Sequence, residues 1–105
     1  VSSGHPSDAD RERGAAPVVD RVQSAIEAGD VSALAAAFAD HGVCLAGDER
    51  IEDRAEIKRR LANALSGPSR LVRRQQQGAH AVVGWEGGTL VLEIRRGEVV
   101  FAVVV

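Results

Sequence analysis

Helical periodicity in this chain ends at Leu65, and strand alternation takes over at Arg70. Val18, Val22 and Ile26 fall at i, i+4 and i+8 with Ala25 beside them, the apolar stripe of one helix. Pro17 suits its first turn, Gly29 its left-handed stop, and Asp30 the cap of the helix that follows. Val31, Leu34, Ala35 and Phe38 repeat at i, i+3, i+4 and i+7, which predicts a second amphipathic helix ended by His41-Gly42. Residues 43–46 and 50–52 predict a small hairpin around Gly47-Asp48. Asp53 and Glu56 then form a capping-box pattern. Asp53 can accept from the Glu56 amide, and Glu56 can reach back. The third helix buries Ile57, Leu61 and Leu65, and Gly67-Pro68 stops it.

The remainder reads as four strands, 70–77, 79–86, 89–96 and 98–105, divided by Gly78, Gly87-Gly88 and Arg96-Gly97. Gly87-Gly88 is expected to supply the positive φ of a tight hairpin. Alternation puts Ala79, Ala81, Val83 and Trp85 on one face, with His80, Val82, Gly84 and Glu86 on the other. Leu90, Leu92 and Ile94 share a face, opposite Thr89, Val91, Glu93 and Arg95. The apolar faces meet the helices. The predicted fold is α+β, with three N-terminal helices packed on a curved, mainly antiparallel sheet. The last strand does not alternate: residues 99–105 are apolar on both sides, which calls for cover on both faces. A homodimer through the outer face is the simplest cover, with Val91, Glu93 and Arg95 beside the last strand. Its outward valine is either Val100 or Val103.

A chain of 105 residues fits one domain, here 17–105, preceded by a flexible polar tail or linker over 1–16. With 45% hydrophobic and 27% charged residues it is expected to be globular rather than disordered. A net charge of −2 argues against generic binding to nucleic acid or an acidic membrane. No apolar run approaches the roughly 20 residues of a membrane-spanning helix. The single Cys44 cannot close an intrachain disulfide, which fits a reducing, cytoplasmic setting. The chain has no Met, so either the initiator is missing or this is a piece of a longer protein. Abundant Ala, Val, Arg and Gly with almost no Lys points to a GC-rich bacterial gene.

Two stretches carry a resemblance. One runs Ala25-Ile26-Glu27-Ala28-Gly29-Asp30-Val31-Ser32-Ala33-Leu34 through Phe38-Ala39-Asp40. The other is Arg50-Ile51-Glu52-Asp53-Arg54-Ala55-Glu56-Ile57. With the element order over 17–105 they resemble the nuclear transport factor 2-like (NTF2-like) superfamily, within it the SnoaL-like group. Asp53 stands where the second motif of that group has glycine. The resemblance implies a cone in which a curved sheet wraps the helices and leaves a pocket at its wide end, lined here by Val22, Phe38, Ala46 and Trp85. The superfamily includes isomerases, dehydratases, cyclases and epoxide hydrolases beside transport, assembly and regulatory domains, so the fold does not choose a function.

Isomerases of this type need a carboxylate base and an oxyanion donor facing the pocket. The resemblance places the base at Ala46 and the donor near Val22, both apolar, and the chain has no Tyr. His41, read as ending the second helix where its charge suits the dipole, and Asp48, in the hairpin turn, are the remaining candidate catalytic groups. Cys44 reads as a small buried hydrophobe. His80 belongs with Glu93 and Arg95 to a polar cluster on the outer face. The His and Cys residues match no metal-ligand spacing, and no cofactor is implied. Three functions fit these residues. The first is a non-catalytic domain that binds a small apolar ligand or dimerises. The second is a small-molecule isomerase, cyclase or hydrolase using His41 or Asp48. The third is a regulatory domain at the C-terminus of a bacterial sigma factor.

Overall fold

The computed structural model describes residues 8–105, with side chains from residue 13. Three helices, α1 (Asp8–Ala28), α2 (Val31–Ala36) and α3 (Arg54–Ala64), lie on one face of a six-stranded sheet. The strands are β1 (Phe38–Ala46), β2 (Glu49–Ile51), β3 (Leu71–Gln77), β4 (His80–Trp85), β5 (Gly88–Arg95) and β6 (Glu98–Val104). Their order is β2-β1-β6-β5-β4-β3, and the sheet does not close. β1 runs parallel to β6; every other pairing is antiparallel. The expected α+β architecture is therefore present, with helices and strands separated as the change of period predicts.

α1 begins earlier than expected. Pro17 lies inside the helix rather than in its first turn. A proline there removes one backbone hydrogen bond. Ala15, 2% exposed, extends the buried stripe of Val18, Val19, Val22 and Ile26 by a further turn. The expected tail of 1–16 is thus helical from Asp8, and its first seven residues lie outside the described residues.

α2 ends at Ala36, and residues 38–42 are strand rather than helix. Phe38 is buried as the helical period requires. Its backbone is captured by the sheet instead. Phe38 pairs with Val99, and the Val99 amide donates to the Ala37 carbonyl at 2.9 Å. Between Phe38 and Val43 the register with β6 shifts: five steps along β1 match two along β6. The β1–β2 hairpin forms as expected around Gly47-Asp48. Asp53 caps α3 by accepting from the Ala55 amide at 3.3 Å, not from Glu56. Glu56 carries no reach-back role in that contact; its Oε1 accepts from Arg59 and Arg60.

The positive φ expected at Gly87-Gly88 is absent. Glycine serves there for close approach. A Cβ on Gly87 would lie 2.9 Å from the Ala64 carbonyl oxygen, and that same oxygen accepts from Trp85 Nε1 at 3.1 Å. The turn thus folds over a tryptophan that ties β4 to the end of α3.

β6 sits between β1 and β5 in the middle of the sheet, so both of its backbone edges are paired, while the cover of its outer face is a separate matter. Glu93 faces Phe101 and Ile94 faces Val99, so Val100 is the extra residue of a bulge. Beyond it, Ala102 and Val104 share the helix-side face with Leu92 and Leu90, while Phe101 and Val103 point outward with Glu93 and Val91. Val103, not Val100, is the regular outward valine.

Candidate functional site

The interior is apolar throughout. Among the described residues none that is polar or charged is buried. Val22 and Phe38 are fully buried, Trp85 is 4% exposed, and all three belong to the core shared by helices and sheet. Ala46, half-buried, packs at the margin of that core and pairs with Val104 and Glu49. Val22, Phe38, Ala46 and Trp85 carry no acid or base that exchanges a proton near neutral pH. Cys44 is fully buried, and burial pushes its thiol up from the ordinary value against the opposing charge of Arg60. It therefore stays a protonated thiol near neutral pH rather than a nucleophile.

His41 and Asp48 are both exposed, His41 within β1 and Asp48 beyond its end. His41 is in the irregular stretch between Phe38 and Val43, so it ends no helix, and the dipole role expected of it does not arise. Asp48 is in the β1–β2 turn. Neither lines either of two surface cavities formed by the described residues. One is an open groove of about 580 Å³ between α1 and α2, walled by alanines, with Asp20, Arg21, Ser24 and Asp30 along it. Its charged groups are already engaged: Asp20 with Arg74, Arg21 with the Gly97 carbonyl, and Asp30 with the Ala33 amide. The other, about 440 Å³, adjoins the β3–β4 hairpin. Among the described residues no group of three His, Cys, Asp or Glu could hold a metal ion. None of the described helices is long and apolar enough to cross a membrane.

Sequence reasoning passed over Arg54 as a working residue. From the first turn of α3 its guanidinium donates to the Phe38 carbonyl and pairs with Asp40 Oδ1 at 3.0 Å. It thereby latches α3 onto the irregular start of β1. A second network joins β2 to α3: Arg60 bridges Glu49 and Glu56, and Arg59 reaches Glu56. The hydrogen bond and charge of Arg60 hold the Glu49 carboxyl below its ordinary value. Glu56 is held down chiefly by its hydrogen bond from Arg59, with Arg60 adding to it. A carboxylate depressed in the folded state contributes stability above its ordinary pKa and loses it as pH falls through the folded value. Arg60→Gln frees Glu49 from that depression. It is therefore expected to cost stability near neutral pH and to lose less on acidification than the wild type. Urea unfolding followed from pH 7 down to pH 2 measures this; superimposable pH profiles would remove the network from the acid response.

The outer face of the sheet carries an apolar pattern. Leu45 faces Val103, Val103 faces Val91, and Val91 faces Val82, so four half-buried apolar side chains run across four adjacent strands. Three strand spacings make this stripe about 14 Å long. Phe101 and Val43 form a second, shorter row. Beside them Arg95 pairs with Glu93 at 3.0 Å, and His80 stands opposite Glu93 in the neighbouring strand. The expected polar cluster of His80, Glu93 and Arg95 is thus present at the margin of an apolar stripe. Leu45 and Val43 were not foreseen on it, because β1 joins through a parallel pairing with a distant strand.

Solved structures share this fold. An NTF2-like protein of unknown function from Burkholderia xenovorans LB400 is 21% identical with a TM-score of 0.67, over 90% of this chain and 84% of that one. A SnoaL-like protein of unknown function from Burkholderia thailandensis E264 is 12% identical with a TM-score of 0.66, over 90% and 94%. An LEH-like epoxide hydrolase from M. tuberculosis is 18% identical with a TM-score of 0.62, over 89% and 82%. No family model and no curated protein matches the sequence. The chain has the NTF2-like fold.

Proposed function

We propose that this domain is a non-catalytic interaction module that pairs with a second copy of itself through the outer face of the sheet. One observation carries the proposal: the contiguous half-buried stripe Leu45–Val103–Val91–Val82 on the side of the sheet away from the helices. Two such faces packed together bury it. At about 25 cal/mol per Å² a patch of this kind contributes several kcal/mol before the loss of free rotation and translation is counted. Arg95 and Glu93 lie at the margin, where a two-fold axis makes each polar contact twice. The apolar core supports the non-catalytic half of the proposal. Val22, Phe38 and Trp85 are engaged in packing, and His41 and Asp48 sit apart on the surface.

The test is association. Wild-type protein at tens of micromolar is expected to scatter light as a dimer, and Val103→Lys as a folded monomer. The substituted side chain points away from the helices, so far-ultraviolet circular dichroism is expected to be unchanged. A wild-type monomer at those concentrations, or a Val103→Lys protein that still dimerises, would sink the proposal.

A further inference from the structure

Among the described residues the sheet has one long edge strand, and its chemistry is one-sided. β3 is that edge, and β4 is its one neighbour in the described sheet. Residues 72–75 and Gln77 are exposed. The opposite edge, β2, is only three residues long. Leu71 faces Trp85 while Arg73 faces Gly84, so Val72 sits at a bulge without a cross-strand partner, 71% exposed.

Charge around this edge is segregated. Residues 57–85 contain Lys58, Arg59, Arg60, Arg70, Arg73 and Arg74 and not one Asp or Glu, in a chain whose net charge is −2. Arg59 and Arg60 pair with Glu56 and Glu49, and Arg74 with Asp20 at 2.7 Å. Arg70 and Arg73 have no carboxylate partner among the described residues; Arg73 donates to Gln75 Oε1, two residues along its own strand. Beside the other half of the strand lies the recess of about 440 Å³ lined by Gln75, Gln76, Gln77, His80, Ala81 and Val82.

We propose that β3 accepts an extended acidic segment of a partner protein as a seventh strand. Backbone N–H and C=O groups along the exposed residues 72–75 give such a segment its hydrogen bonds, as in strand addition generally. Carboxylates on it pair with Arg70 and Arg73, and a side chain near its other end enters the recess beside the glutamine amides. Basic residues on an edge ordinarily deter strand addition. That deterrence acts against basic and neutral strands, and an acidic strand reverses its sign. It also disfavours a second copy on this edge, since two cationic strands would meet with no carboxylate between them. The recess borders the outer face at His80 and Val82, but strand addition rests on the edge of the sheet and not on the outer-face pairing proposed above.

The probe is a fluorescein-labelled heptapeptide alternating Glu with Val. Fluorescence anisotropy is expected to show saturable binding to the full chain. Binding is expected to weaken about tenfold or more in the double variant Arg70→Glu/Arg73→Glu and to persist in Arg50→Glu, which alters the opposite edge. N-methylation of alternate peptide amides is expected to abolish it. If the double variant does not fold, hydrogen exchange on the wild-type protein decides alone: the peptide is expected to slow exchange at residues 71–77. No slowing there at millimolar peptide, slowing confined to β6, or tight binding of the N-methylated peptide would overturn the proposal.

Discussion

Phe38→Ala is expected to destabilise the fold by about 4 kcal/mol, within the usual range for deleting a buried phenyl ring. Phe38 is the bulkiest of the fully buried side chains. It stands where α2 gives way to β1, and the surrounding backbone is held in place. Its own carbonyl accepts from Arg54, and the carbonyl before it accepts from Val99. A cavity left between such fixed walls cannot collapse, so both the transfer loss and the cavity loss are felt. A domain with a total stability of about 5–15 kcal/mol would then be marginal. Urea unfolding measures the loss. Val72→Ala, at an exposed edge position, is the control and is expected within about 0.5 kcal/mol of wild type. A Phe38→Ala loss near that of the control would show that the α2–β1 junction is not where the core is anchored.

Phe38 also shows what could and could not be read from the chain. Its burial was legible, because the spacing from Val31, Leu34 and Ala35 puts it on an inward face. Its conformation was not. A residue at the end of a helical stripe and one opening a strand are equally buried, and the choice here is made by Val99 and Arg54, remote in sequence. β3 to β6 were legible because turns recur at short intervals and β4 and β5 alternate cleanly. β6 was legible as a strand but not in register. A run of valines satisfies either register, and the bulge at Val100 decides it only through pairing with β5. The early start of α1 was hidden by Pro17, which fits a first turn and is tolerated inside a helix where neighbouring residues are packed.

The outer face was half legible. Val91, Glu93 and His80 follow from alternation within their own strands. Leu45 and Val43 reach it only through the parallel pairing of β1 with β6, which no local pattern encodes. The Arg54 latch left a trace in the Arg50-to-Ile57 motif, where an arginine follows the helix cap. Nothing in that motif says that its partner is a carbonyl sixteen residues earlier.

Gly29→Ala is expected to cost about 3 kcal/mol, combining the strain of a left-handed alanine with a steric clash. The end of α1 is a Schellman motif: the Asp30 amide donates to the Ala25 carbonyl and the Gly29 amide to that of Ile26. This geometry requires φ of +68° at Gly29. Ser69 adds a second donor to the Ile26 carbonyl, which brings the loop after α3 against the turn. A Cβ on Gly29 would lie 2.5 Å from Pro68 N and 2.6 Å from the Gly67 carbonyl carbon. Both are backbone atoms, so no side-chain rotation relieves the contact. The loop must move, and the Ser69 hydrogen bond goes with it. Gly47→Ala separates the two causes. Gly47 has a similar φ of +63° but open space around the built Cβ, so it carries the conformational strain alone, about 1 kcal/mol. Thermal or urea unfolding of the pair is expected to rank Gly29→Ala well below Gly47→Ala. Equal losses would mean that backbone strain accounts for both and that the loop after α3 yields freely.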